Sequence, residues 1–254
     1  MLYKLAAAFV DMFGYDLVAR DRPSSGSENP WPIPLDLDQT TADLIRRVQP
    51  YTMTSPERIA ALRTAVLYAI KHNIPGDIVE CGVWKGGSMM AVALTLKEVG
   101  ARRRLHLFDT FEGMTAPTAP DRNIAGELAS TVMAAKQGVW ARSPLDEVKE
   151  AMRSTGYDDA LITYVKGPVE DSLPNHAPPA IALLRLDTDW YESTKHELRH
   201  LFPRLSVGGV LILDDYGHWE GARKAVDEYI SENRLRLLLN RIDYTARICV
   251  RVSD

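Results

Sequence analysis

Cysteine is scarce. The chain of 254 residues holds two, Cys81 and Cys249, each inside an apolar run. Two such thiols build no disulfide framework; they are expected as buried free thiols, a pattern that fits a reducing cytoplasm. Long apolar runs are also missing, and none approaches the ~20 residues a membrane helix needs. The opening stretch M-L-Y-K-L-A-A-A-F-V-D-M-F is apolar but short, carries Lys4 and Asp11, and has no convincing cleavage site. It reads as an amphipathic helix, not a signal peptide, whose apolar face meets the core or a second subunit. There is no basic excess, since the formal net charge is -4. That excludes the electrostatic footprint of a nucleic-acid binder. Internal repeats and low-complexity segments are absent. So is the dinucleotide fingerprint G-x-G-x-x-G: Val83-Trp84 follows Gly82 where a glycine is wanted two positions on.

What is present is an alternation of strand and helix. Residues 21–36 form a loop rich in Pro and Ser. A short helix follows over 38–48. Ser55 then reads as an N-cap with Pro56 at the first helical position, opening a helix to about His72. From there strands are expected over 77–83, 104–110, 161–167, 181–187 and 209–214. Helices are expected over 87–99, 144–155, 194–201 and 221–232, and two last strands over 234–242 and 246–252. This order predicts a mostly parallel sheet covered on both faces and closed by an antiparallel pair. One domain is expected over 51–254, preceded by an N-terminal extension or lid over 1–50. Residues 112–142 form a polar insertion within the domain.

The chemistry concentrates at strand ends. Ile181 to Tyr191 reads I-A-L-L-R-L-D-T-D-W-Y, an apolar run that stops at Asp187 and Asp189. Side chains two apart on a strand point the same way, which would place both acids together at the C-terminal edge, where open α/β sheets bind ligands. Gly208 to Tyr216 ends likewise at Asp214 and Asp215. If the strands are neighbours, the carboxylates converge and raise one another's pKa unless a cation sits among them. An all-oxygen set favours Mg²⁺, with Mn²⁺ or Ca²⁺ as alternatives. The plainer reading is that strand-end aspartates cap the helices that follow.

The first strand leads into V-E-C-G-V-W-K-G-G-S, where Gly82 lets backbone approach a ligand and Glu80 suits a cationic one. The second ends L-F-D-T-F-E-G-M, and Asp109 at its tip suits a ribose diol. In K-G-P-V-E-D-S, Glu170 or Asp171 is placed to meet an adenine amino group. His218, just past the second acidic pair, reads as a loop histidine or as a substrate contact or alternative base. Tyr51, Trp190 and Trp219 read equally as packing or as surfaces for a sugar.

Taken together, E-C-G-V-W-K-G-G-S, D-T-F-E-G-M, L-R-L-D-T-D-W-Y-E-S-T and L-I-L-D-D-Y resemble the macrocin O-methyltransferase family, in its motif order, over about 52–252. The aminocoumarin phenol methyltransferases are similar. The resemblance implies a Rossmann-like class I sheet of seven strands with the last antiparallel. It also implies S-adenosylmethionine and a divalent metal as cofactors. Asp187, Asp214 and Asp215 match the family's metal ligands and Asp189 its proposed general base. Glu80, Gly82, Ser88 and Asp109 match the cofactor pocket, with Glu170 and Asp171 near the adenine. Thr54 and Ser55 match residues approaching the cofactor from a lid, and the 112–142 insertion falls where the family covers its substrate. The expected acceptor is a small sugar-containing molecule, and the expected state a homodimer or larger. Alternatives are a phenol acceptor, a haloacid-dehalogenase-type phosphatase suggested by the D-x-D at 187–189, and a non-catalytic nucleotide-binding subunit.

Overall fold

The structure, a computed structural model, describes residues 32–135 and 140–252. The expected N-terminal helix lies outside the described residues. The first described helix, α1 (Gln39–Val48), is capped by Asp38, whose side chain accepts from the Thr41 amide. Helix α2 (Pro56–Lys71) starts as its sequence predicts, with Ser55 accepting from Arg58 N and Pro56 filling the first turn.

Seven strands form one sheet: β1 (Asp77–Cys81), β2 (Leu105–Asp109), β3 (Ile162–Lys166), β4 (Ile181–Leu186), β5 (Leu205–Leu213), β6 (Asn240–Arg241) and β7 (Arg247–Val250). Their spatial order is β3-β2-β1-β4-β5-β7-β6. The pairs among the first five are parallel, and β7 runs antiparallel to both β5 and β6. The order therefore reverses between β1 and β4, which opens a crevice beyond their carboxyl ends.

Alternation along the strands feeds two cores. Ile78, Leu183 and Ile212 face α1, α2 and α3 (Gly87–Glu98). Val79, Leu184 and Leu211 face the other way, toward α7 (Tyr191–Leu201) and α8 (Glu220–Glu232). Strands buried on both faces need no polar alternation, which explains their near-continuous apolar runs.

Register places the site. Cys81 pairs with Leu186, and Leu186 with Leu213. The ladder continues one step: Gly82 N donates to Phe108 O, Asp187 N to Cys81 O and Asp214 N to Leu186 O, each at 2.9 Å. Gly82, Asp187 and Asp214 thus leave the sheet side by side.

Two expectations change. The final strands shrink to the six residues of β6 and β7, because β6 is the sheet's edge. Residues 235–239 lie outside the ladder; Leu235, Leu237 and Leu239 pack on the second core while Leu238 faces solvent. The insertion also carries its own structure. It includes the short helix α4 (Ala129–Ala135) and is bridged at Asn123 to Trp219. Helix α5 (Leu145–Ser154) follows it, and a one-turn helix, α6 (Val169–Ser172), occupies the segment after β3.

Candidate active site

Above the strand tips lies a cleft of about 270 Å³. Its lining includes Thr54, Gly82, Ser88, Asp109 and Glu170 along one side, and Asp187, Asp189, Asp214 and Asp215 in its floor. Of the residues singled out in the sequence, Ser55, Glu80, Asp171 and Trp190 do not line it. Ser55 caps α2 and donates to Asp243, Asp171 is exposed on α6, and Glu80 points into the protein, 1% exposed.

The acids do converge. One ligand atom each from Asp187, Asp214 and Asp215 lies within 4.8 Å of the others. Asp189 joins them by a different route from strand alternation. β4 ends at Leu186, and Asp189 sits at φ 68, in the left-handed region that aspartate tolerates better than most residues other than glycine. That turn brings its backbone N–H to Asp215 Oδ2 at 3.2 Å. Trp84 and Ala141, which line the same cleft, also have positive φ.

A cation sits among the acids, and it is a side chain. Arg185, one residue before the end of β4 and 2% exposed, donates to Glu80 at 2.5 Å, Asp187 at 2.8 Å, Asp214 at 2.6 Å and Thr54 Oγ1 at 2.9 Å. Arg58, on the first turn of α2, pairs with the other oxygen of Asp214 and with Asp243 at 3.0 Å. The signal for Arg185 was available in sequence, since a lone arginine in a buried strand must be paired. Burial pushes Asp187 and Asp215 well above the usual carboxylate range; the neighbouring acids add to this, and Arg185 opposes it at Asp187. Asp214 lies below its ordinary value because Arg185 and Arg58 outweigh its burial. Glu80 is pushed to about 7 by burial, with Arg185 opposing.

Gly82 lines the cleft and also meets the end of β4. It adopts φ 81, and a Cβ there would overlap the Asp187 carbonyl oxygen. The glycine lets β1 and β4 close on each other at the crevice. Asp109 lines the cleft but accepts from Val83 N (2.6 Å), Trp84 N (3.0 Å) and Phe111 N (2.7 Å). It holds the loop after β1, and a carboxylate oxygen has two lone pairs, so Asp109 retains capacity for a hydroxyl.

The opposite side of the cleft is assembled from distant segments. Trp140, Trp190 and Trp219 form a cluster with ring centroids 5.0–6.4 Å apart; Trp140 and Trp219 line the cleft, while Trp190 is packed behind. Asp121, 1% exposed, pins the insertion: it accepts from Thr118 N at 2.6 Å and from Tyr191 N, the start of α7, at 2.8 Å. Its own N-cap, Trp190, supplies no side-chain acceptor, so Asp121 caps α7 from 70 residues away. Gly221 leaves the space, because a Cβ there would overlap Asp121 Oδ1.

The profile of the macrocin O-methyltransferases (TylF) matches residues 35–250. The chain belongs to that family. A tetracenomycin-C rhamnosyl 4'-O-methyltransferase of Streptomyces olivaceus is 34% identical over 196 residues, 77% of this chain and 73% of that one. The mycinamicin III 3''-O-methyltransferase of Micromonospora griseorubida is 32% identical over 180 residues, 70% of each. Among solved structures, the O-methyltransferase NovP is 32% identical, with TM-score 0.72 over 80% of this chain and 83% of its own. The calicheamicin methyltransferase CalS11, at 19% identity and TM-score 0.61 over 85% and 92%, shares the fold. The protein is therefore a class I, S-adenosylmethionine-dependent O-methyltransferase. Among its described residues no helix is long and apolar enough to cross a membrane.

Proposed function

We propose that this methyltransferase methylates a hydroxyl of a sugar carried by a small molecule, with a divalent cation, Mg²⁺ or Mn²⁺, held by Asp187, Asp214 and Asp215. The observation that carries this reading is the convergence of those three carboxylates beside the family's cofactor crevice. The residues fit such an ion. All three donors are oxygen, which suits a hard cation. Burial and the neighbouring acids hold Asp187 and Asp215 well above the usual carboxylate range, which a bound cation would offset. Arg185 takes one oxygen of Asp214 and Arg58 the other, and each oxygen keeps a second lone pair.

A sugar hydroxyl has a pKa near that of water, roughly 15.7, and a bound divalent ion lowers it by many units. The protein's own part is alignment and proton removal. Asp189, fixed by its left-handed turn and its bond to Asp215, is the general base. Thr54, Gly82, Ser88, Asp109 and Glu170 form the cofactor side, with Asp109 toward the ribose and Glu170 toward the adenine. Glu80 acts from beneath by orienting Arg185, and Ser55 through α2. Asp171 faces solvent and contributes negative charge at that end. The relatives' names support the acceptor class: one acts on a rhamnosyl group and another on mycinamicin III. The insertion over 112–142 covers the acceptor, so its residues set which sugar enters. We further assign the protein to the cytoplasm, as a homodimer or larger homo-oligomer.

A phenol acceptor is the alternative reading. Methyl transfer to a panel of rhamnosides, glucosides, mannosides and phenols separates the two. Transfer confined to phenols overturns the sugar assignment.

A further inference from the structure

We propose that the turn between β6 and β7 belongs to the acceptor site, and that Tyr244 with His218 grips the sugar ring. This rests on the sugar reading above. The turn is fixed far more firmly than a two-residue edge strand requires. Asp243 Oδ1 accepts from Thr245 N at 2.9 Å and Ala246 N at 2.8 Å. Its Oδ2 accepts from Ser55 Oγ at 2.9 Å and pairs with Arg58 Nε at 3.0 Å. Thr245 Oγ1 donates to the backbone carbonyl of Asp214, one of the metal-site residues. Gly217 N donates to Thr245 O at 2.7 Å, and a Cβ on Gly217 would overlap the Tyr244 carbonyl.

These ties hold Tyr244 against the loop that follows Asp215. His218 N donates to Asp215 O at 3.0 Å. The Tyr244 hydroxyl lies 3.5 Å from His218 Nδ1, with the rings edge-on at 5.9 Å. Both side chains line the cleft, yet Tyr244 is 49% exposed. An aromatic ring on rigid backbone, half exposed at the mouth of a cleft, is built to be covered by a ligand. Its face suits the C–H face of a pyranose, and the phenol and imidazole suit hydroxyls beside the one directed at Asp189. The arc continues through Trp219, whose ring lies 4.8 Å from His218.

The test uses the full chain with S-adenosylhomocysteine and Mg²⁺. p-Nitrophenyl α-L-rhamnopyranoside and the matching glucoside and mannoside serve as probes, with binding read by saturation-transfer NMR. Tyr244→Ala should weaken the best probe by about tenfold and Tyr244→Phe by about threefold, the scale of one aromatic contact and one hydrogen bond. His218→Asn should weaken it to an intermediate degree. Calorimetric affinity for S-adenosylhomocysteine should stay unchanged in all three. Equal probe binding in wild type and Tyr244→Ala overturns the inference and leaves the sugar reading standing. Loss of S-adenosylhomocysteine binding in Tyr244→Phe also overturns it, because the residue would then be structural. A wild type that binds the cofactor product but none of the glycosides overturns both.

Discussion

The two sides of the cleft are built by different means. The side proposed for the cofactor comes from consecutive strand ends, with Gly82, Asp109 and the turn into α6 all within a residue or two of β1, β2 and β3. Its groups are aimed by backbone: Asp109 is set by three amides and Gly82 by its contact with β4. The side proposed for the acceptor is gathered from the insertion, the starts of α7 and α8, and the turn after β6, and is aimed by side chains. Asp121 bridges 70 residues and Asp243 bridges 188 to reach its partners. The first kind of wall follows from the fold itself. The second can change with loop sequence while the fold stays put, which suits a family that shares a donor and varies its acceptors.

Between the walls lies the acidic floor, and the largest effects are expected there. Arg185→Met leaves Glu80 and Asp214 buried without their shared cation, and should cost roughly 3–5 kcal/mol in urea unfolding. A loss under 1 kcal/mol would show that the floor does not depend on that guanidinium. Asp189→Asn should lower kcat by about a hundredfold or more, the scale of a general base, while calorimetric metal binding persists. Near-normal turnover would remove Asp189 from the base role.

On the acceptor side, Asp121→Ala removes the cap of α7 and frees the insertion. We expect the acceptor KM to rise about tenfold, the cofactor KM to hold, and stability to fall by roughly 1 kcal/mol. If both KM values move together, the two walls are not independent. The smallest effect concerns pH. Glu80 titrates near 7 in the folded chain against an ordinary 4.5. The folded state therefore holds a proton that the unfolded state has released, so this group's contribution is complete below about 4.5 and is lost as pH rises to about 7. Metal-free protein should show a falling melting temperature across that window, and Glu80→Gln should flatten the fall.

The same contrast governs what the sequence disclosed. Strand tips ending D-T-D and D-D were legible, because apolar runs mark strands and their ends mark the ligand edge. The parallel order and antiparallel closure followed from the same alternation. Asp189 was found for an incomplete reason: its position depends on a left-handed turn that alternation cannot foresee. Glu80 was read as facing a cationic ligand, and the cation proved to be Arg185. Asp121 and Asp243 carry only the ordinary signal of turn aspartates, bonding Thr118 and Thr245 nearby, and Tyr244 carries none. Each acts through a partner far along the chain, and a single sequence carries no record of such pairings.

The central claim is most directly tested by calorimetric titration of MgCl₂ into chelator-treated protein saturated with S-adenosylhomocysteine, in wild type and in Asp187→Asn. The account predicts one binding site in the wild type, absent in the variant, with methyl transfer lost on chelation and restored by Mg²⁺. Full methyl transfer in excess chelator, or identical titrations of the two proteins, would contradict it.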